Sequence, residues 1–464
     1  AQLENFQKKL WLKKKFVTET SWCIRIGCIP EDFFSEIAAN EAQRREWVEL
    51  HAIDEIEGDL TTEAYSEPLT IDFLKAHSTL MVDTRNFEHS LRHRLLEAMG
   101  NIDEKTDGVL VNSENFQALS LLGARFNSTI KCIYIDPPYN AKSSEILYKN
   151  TYKHSSWMSM IDNGIDVARS YLSHDGTFVC AIDEVEQERL GQLLESHFPD
   201  RSKSCIAIVH NPSGQQGDNF SFTHEYAYFM HCAPRRFIAE QYRENPDEWD
   251  ERNFRDVTGD DSLRTAGKSC FYPIFIKKDK IVGFGDVCED NFHPEMNEGL
   301  DDEIIAIYPI DPQGIERKWR FARSTVEAVQ DELRPHYIRS RDVWDIKRLK
   351  KRFNYKSCWV GSRYSANNHG TQLLNRIIPN APASYPKSLY NTRDCVHAAL
   401  NDETSAYCVD YFAGSGTTGH AVILLNREDG GRRRFVLCEM GSHFDSVLVP
   451  RMKKVCFAPE WDGG

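Results

Sequence analysis

No stretch of this sequence approaches the roughly 20 consecutive apolar residues that a membrane helix needs, so no membrane partner is expected. Leu10-Trp11-Leu12 sits among lysines, which is not the pattern of a secretory leader. The 13 cysteines are scattered, with no Cys-x-x-Cys pair and no Cys/His cluster at zinc spacing. A disulfide framework and a metal site are therefore not expected, and reduced thiols point to a cytoplasmic protein. There is no internal repeat and no low-complexity tract.

Positive charge is also in short supply. The net charge of −14 argues at first sight against a nucleic-acid partner. Its distribution argues otherwise: Glu316 to Arg363 carries fourteen Lys/Arg against six Asp/Glu, which leaves about −22 on the rest of the chain. A basic segment on an acidic body is what a phosphate-gripping surface looks like. Arg320, Lys347, Arg348, Lys350, Lys351 and Arg352 are the candidate phosphate contacts. The interleaved Trp319, Phe321, Tyr337, Trp344, Phe353, Tyr355 and Trp359 suit stacked bases, and equally the core of a small domain.

At 464 residues the chain is too long for one core, and two or three domains are expected. Residues 1–78 read as a helical region, with apolar residues at helical spacing from Pro30 to Ile56. From Thr79 to Cys232 strand and helix patterns alternate. The spacing predicts a strand at Gly108–Val111, a helix at Asn115–Phe126 and a strand at Ile130–Ile135. A helix at Ser155–Leu172, a strand at Gly176–Ile182 and a helix at Glu184–His197 follow, then strands at Cys205–His210 and Tyr226–His231. The rhythm breaks from about Arg235 and resumes after Tyr364 with a strand to Tyr411, a helix at Thr418–Asn426 and a strand at Arg434–Cys438. Such alternation implies an α/β fold with a doubly wound, mainly parallel sheet. It is read as one domain split into 79–235 and 365–464 by an insertion at 236–364.

Two segments carry the chemistry. Asp136-Pro137-Pro138-Tyr139 ends one strand pattern, and Asp410-Tyr411-Phe412-Ala413-Gly414-Ser415-Gly416-Thr417 ends another. Ligands bind at the carboxyl ends of strands in such sheets, where backbone amides and helix N-termini open. The first segment combines an acceptor, a turn held stiff by two prolines and an aromatic plate. An exocyclic base amine is a poor nucleophile, because its lone pair is delocalised into the ring. An Asp136 carboxylate on one N–H and the Pro137 carbonyl on the other can free that pair, and Tyr139 can stack on a base swung out of a duplex. In the second segment, missing side chains let a nucleotide-like cofactor approach the backbone. Glu439 lies 23 positions after Gly416, the spacing at which a carboxylate meets ribose hydroxyls in dinucleotide folds. The segment does not end in Gly-Lys-Ser/Thr, which argues against a triphosphate-cradling loop.

The pair, catalytic motif first, resembles the β class of DNA amino-methyltransferases and, among them, the modification subunits of type III restriction–modification systems. Further segments are similar to that group: Lys13-Lys14-Lys15-Phe16-Val17, Asn40-Glu41-Ala42-Gln43-Arg44 and Val111-Asn112-Ser113-Glu114-Asn115. So are Ser155-Ser156-Trp157-Met158, His224-Glu225-Tyr226, Ser357-Cys358-Trp359, Arg363-Tyr364-Ser365, Gly370-Thr371 and Tyr385-Pro386-Lys387-Ser388-Leu389. The resemblance implies a methyltransferase-type sheet with an inserted target-recognition domain, and S-adenosylmethionine as cofactor. It implies adenine-N6 methylation of double-stranded DNA by Asp136, Pro137, Pro138 and Tyr139. Asp410, Phe412, Gly414, Ser415, Gly416, Thr417, Glu439, Glu114 (where Asp is common in the family) and Lys387 would hold the cofactor. Cytosine-N4 methylation is the nearest alternative, and a DNA-binding specificity subunit with a vestigial catalytic fold a further one. A second copy of the chain and a restriction (helicase/nuclease) subunit are candidate partners.

Overall fold

A computed structural model describes residues 17–58, 63–140, 153–214, 219–232, 237–243, 245, 247, 249–301, 303–382 and 386–458. Lys13-Lys14-Lys15-Phe16, Tyr385 and the expected boundary at 235/236 lie outside the described residues. The chain forms two compact units, residues 1–239 with 356–464, and residues 240–355.

The first unit is built on eight strands: β1 Gly108–Asn112, β2 Ile130–Ile135, β3 Leu172–Ile182, β4 Ser202–Val209, β5 His224–His231, β6 Cys358–Trp359, β7 Tyr407–Asp410 and β8 Arg434–Glu439. Their order across the sheet is β6-β4-β5-β3-β2-β7-β8-β1. Only β5 runs against the rest, pairing antiparallel with β3 and β4. The doubly wound, mainly parallel sheet expected from the alternation is present. In β2 all but Lys131 are buried, and Phe178 to Ile182 of β3 are buried throughout. That is why these strands are near-continuous apolar runs rather than alternating ones. Helices α1 Asn115–Phe126, α2 Lys153–Arg169, α3 Gln187–His197, α4 Leu389–Leu400, α5 Thr417–Asp429 and α6 Val449–Phe457 accompany the sheet. The core they share includes Trp157, Ile161, Ile165, Tyr171 and Tyr411.

Strand order reverses between β2 and β7: the chain winds from β2 to β3 on one side, and from β7 to β8 on the other. A crevice at the carboxyl ends of such a pair is the usual ligand position in doubly wound sheets.

The expected cut at residue 78 does not stand. Strand Cys23–Arg25 pairs with Met81–Asp83, and one apolar cluster runs from Ile24 to Met99, so the N-terminal region extends past 78 and contains sheet as well as helix. The insertion is also shorter than read from sequence, Glu240–Tyr355. Trp359 belongs to the main unit, because Cys358–Trp359 adds to β4 as an edge strand.

The inserted unit holds a four-stranded antiparallel sheet, a three-stranded sheet of Leu333–Ile338, Val343–Lys350 and Asp250–Asn253, and a pair of short strands. Trp319 is fully buried in its core, stacked on Phe254 at a centroid distance of 5.4 Å. That aromatic is core, not a base-stacking plate.

Candidate active site

Five of the parallel strands deliver a functional group to a common rim. In spatial order these are Asp183 after β3, Asp136 after β2, the Asp410–Gly416 turn after β7, Glu439 ending β8 and Glu114 after β1. Strand β5 runs the other way, so its first residues, His224 and Glu225, reach the same rim; Tyr226 pairs with Ile182.

The catalytic turn is clamped from outside. Trp157 Nε1 on α2 donates to the Pro138 carbonyl at 2.6 Å. Asn140, with φ +63°, donates from Nδ2 to the buried Glu186 at 2.6 Å. Asp136 lies deep among neighbouring groups and still exposes 27% of its side chain. Burial lifts its carboxyl above the ordinary range, and the Lys387 ammonium, 3.5 Å from Oδ1, pulls it back down.

That position corrects the expectation for Lys387. Its Nζ donates to Tyr139 Oη and to Glu225, and stands 4.5 Å from the Tyr139 ring centroid. It lies beside the Asp136–Tyr139 turn rather than beside the glycine-rich turn. The ammonium sits at the hydroxyl end of the Tyr139 ring.

The glycine-rich turn is assembled around two acids. Glu439 accepts from the amides of Gly414 at 2.8 Å and of Met440 and Gly441 at 2.9 Å, so this one carboxylate shapes the turn it faces. Gly414 has φ +52°, and among the described residues no heavy atom beyond its chain neighbours stands within 4 Å of where a Cβ would be. Bare backbone therefore borders open space beside a carboxylate, which fits a ribose-bearing ligand. Phe412 is partly buried beside Tyr411. Glu114 caps α1 by accepting from Gln117 N at 3.0 Å, and Ser113 N donates to the Glu439 carbonyl, so both acids share this end of the rim.

Three expected cofactor contacts turn inward instead. Asp410 is 2% exposed and accepts from Phe412 N at 2.9 Å and Thr418 Oγ1 at 2.5 Å. Burial pushes its carboxyl up to about 7. It supports the turn from beneath. Ser415 Oγ and Thr417 Oγ1 both accept from the buried Arg451 guanidinium of α6, at 3.0 Å each. Burial without a carboxylate beside it lowers Arg451 to about 9. The Gly416 φ of +86° marks the αL turn into α5.

Sequence reasoning passed over Glu225, Asn391 and Arg451 as site residues. Glu225 and Trp157 stood within segments singled out by resemblance, and so did the Lys387 support. Arg363 and Tyr364 bond to Asp394 of α4, and Ser388 Oγ donates to the Arg363 carbonyl at 2.8 Å. A Cβ on Gly370 would stand 2.2 Å from the Pro386 carbonyl oxygen, so only glycine lets the Pro386–Lys387 backbone lie there.

The basic segment is not one face. Along Val343–Lys350 side chains alternate, which puts Arg348 on the side of buried Ile346 and Lys347 on the other. Arg348 bonds to Glu332 at 2.6 Å and lies over Phe321, Lys347 pairs with Glu251, Lys351 with Asp331 and Arg320 with Asp256. Lys350 lies over Phe353, and Arg352 is exposed. Arg348→Ala is expected to cost on the order of 3 kcal/mol in urea unfolding, because it strands the buried Glu332. An unchanged unfolding midpoint would contradict that role.

Comparison with known proteins agrees with this geometry. The chain is 25% identical over 390 residues to the Mod subunit of the type III restriction–modification enzyme EcoPI of Escherichia phage P1, covering 72% of this chain and 57% of that protein. It is 26% identical to the type II methyltransferase M.KpnI of Klebsiella pneumoniae, over 76% of this chain and 85% of the other. The StyLTI Mod subunit of Salmonella typhimurium is 22% identical over 75% of this chain, which spans 55% of that protein. The chain thus spans a little over half the length of the two Mod subunits. Residues 130–448, from the first residue of β2 to the segment before α6, match the DNA methylase family of the N6/N4 type, and the chain belongs to that family.

Proposed function

We propose that this protein transfers a methyl group from S-adenosylmethionine to N6 of an adenine turned out of duplex DNA. The observation that carries the reading is the adjacency of Asp136 and the Gly414–Glu439 turn on neighbouring strands at the switch point of the sheet. S-adenosylmethionine, when bound, supplies the methyl group on an electrophilic sulfonium. Phe412, the bare backbone of Gly414, Glu439 and Glu114 would hold it; the missing Gly416 side chain faces Leu448 and Met452, so that glycine serves the turn. Asp410, Ser415 and Thr417 act on it only through the shape of the turn.

Asp136 accepts one amine N–H. Trp157 occupies the Pro138 carbonyl, so of the two proline carbonyls that of Pro137 is assigned to the other N–H. Rigid prolines set these acceptors before the base arrives, so little reorganisation is left for the reacting complex. Tyr139 meets the base with a face of its ring. The inserted unit reads the target sequence. Resemblance to Mod subunits supports a modification role in the cytoplasm, with a restriction subunit and a second copy of the chain as partners.

Lys350 and Arg352 remain the assigned phosphate contacts. Neutralising both should weaken specific and non-specific duplexes alike and flatten log K against log salt by about 0.9 per lost contact. Affinity and slope that stay put would make the run a solvated face. The function itself is tested by single-molecule sequencing of DNA from cells expressing the protein. Methylated adenines in one short motif are expected; N4-methylcytosine would select the alternative base, and unmodified DNA would contradict the reading.

A further inference from the structure

The geometry points to Lys387 as the counter-ion that keeps the Asp136 carboxylate ionised and so able to accept from an amine, with Glu225 and Asn391 as the positioning residues that hold it there. This deepens the function proposed above and rests on it.

Only 10% of the Lys387 side chain is exposed, and a buried ammonium is stable only when paired. Glu225 is its hydrogen-bonded partner, and the other Glu225 oxygen accepts from Asn391 Nδ2 at 2.7 Å in the first turn of α4. The ammonium is thus anchored by Glu225, and its field falls on Asp136 at 3.5 Å. Its backbone seat is equally specific, since it requires glycine at 370.

The remaining titratable neighbours offer Asp136 no substitute. Tyr134 and Tyr139 come from β2 and its turn, Cys180 and Asp183 from β3 and its end, Glu225 from β5, Cys395 from α4, Asp410 from β7 and His210 from the end of β4. Burial pushes Asp183 up to about 6 and holds His210 below its usual range. Among these described groups Lys387 is the one cation at neutral pH. Without it, burial and the Glu225 charge both push Asp136 toward its neutral form. A protonated Asp136 would point a donor at an amine that needs acceptors.

The test uses the full chain with Lys387→Met, Lys387→Gln and Lys387→Arg. Single-turnover methylation of duplex DNA is followed against pH. Separately, the Asp136 carboxylate of the cofactor-free, DNA-free chain is titrated by isotope-edited infrared spectroscopy, with Asp136→Asn as the reference. Calorimetry with S-adenosylmethionine shows which variants are folded, and the glutamine variant replaces the methionine one if that fails. In the neutral variants the acid limb and the Asp136 titration should both move up by a pH unit or more, with cofactor Kd within threefold of wild type; arginine should restore both. A rate lowered equally at every pH, with the titration unmoved, overturns the inference and leaves Lys387 a packing residue. A raised cofactor Kd with an unmoved limb overturns it in favour of a cofactor contact. If the wild type does not methylate DNA but the titration moves as described, the counter-ion role stands and the proposed activity falls.

Discussion

Asp136→Ala is expected to lower the single-turnover rate of methyl transfer by about 10³-fold or more while leaving the Kd for S-adenosylmethionine nearly unchanged. Asp136 follows β2 and is assigned to the amine, whereas the glycine-rich turn assigned to the cofactor is shaped by Glu439 and Asp410 on the adjoining strands. An acceptor used chiefly in the transition state affects kcat more than ground-state binding. Asp136→Asn keeps the shape and one acceptor oxygen but loses the charge, so it should fall between wild type and alanine. Turnover near wild type in the alanine variant would remove Asp136 from the chemistry, and a large rise in cofactor Kd would move it to the other side of the site.

The second large effect is expected at Glu439. Its carboxylate accepts from three backbone amides, and the same group is assigned to the ribose hydroxyls. Hydrogen bonds to a charged group are worth roughly 1.5–3 kcal/mol each, so Glu439→Ala should raise the Kd for S-adenosylmethionine by at least about tenfold. DNA affinity measured without cofactor should hold. Three amides lose an acceptor in this variant, so the melting temperature should fall as well; Glu439→Gln, which keeps two lone-pair oxygen sites in place of four, should recover part of it. A calorimetric Kd equal to wild type would place the ribose elsewhere.

Much of the scaffold was legible in the sequence for a physical reason. Strands buried on both faces must be continuous apolar runs, so β2, β3, β7 and β8 could be read directly, with the acids that end β2, β7 and β8. Side-chain direction could not. Asp410, Ser415 and Thr417 lie in the same turn as Gly414, and which of them face a ligand is decided by Thr418 at the start of α5 and by Arg451, brought in by a later helix. Lys387 is about 250 positions from Tyr139, and no local pattern announces their contact. Nor does composition reveal pairing across strands: the acids that neutralise Lys347 and Arg348, Glu251 and Glu332, lie 96 and 16 positions away. A basic run therefore read as one surface when strand alternation divides it between two faces.

The central claim is that Asp136 and its neighbours methylate an exocyclic base amine, and one measurement addresses it most directly. Purified protein is incubated with duplex DNA of mixed sequence and methyl-labelled S-adenosylmethionine, the DNA is digested to nucleosides, and the label is located by mass spectrometry. Label is expected in N6-methyladenine, and none above background with Asp136→Ala. Label confined to the protein, or no transfer by wild-type protein that binds both cofactor and duplex, would contradict the assignment.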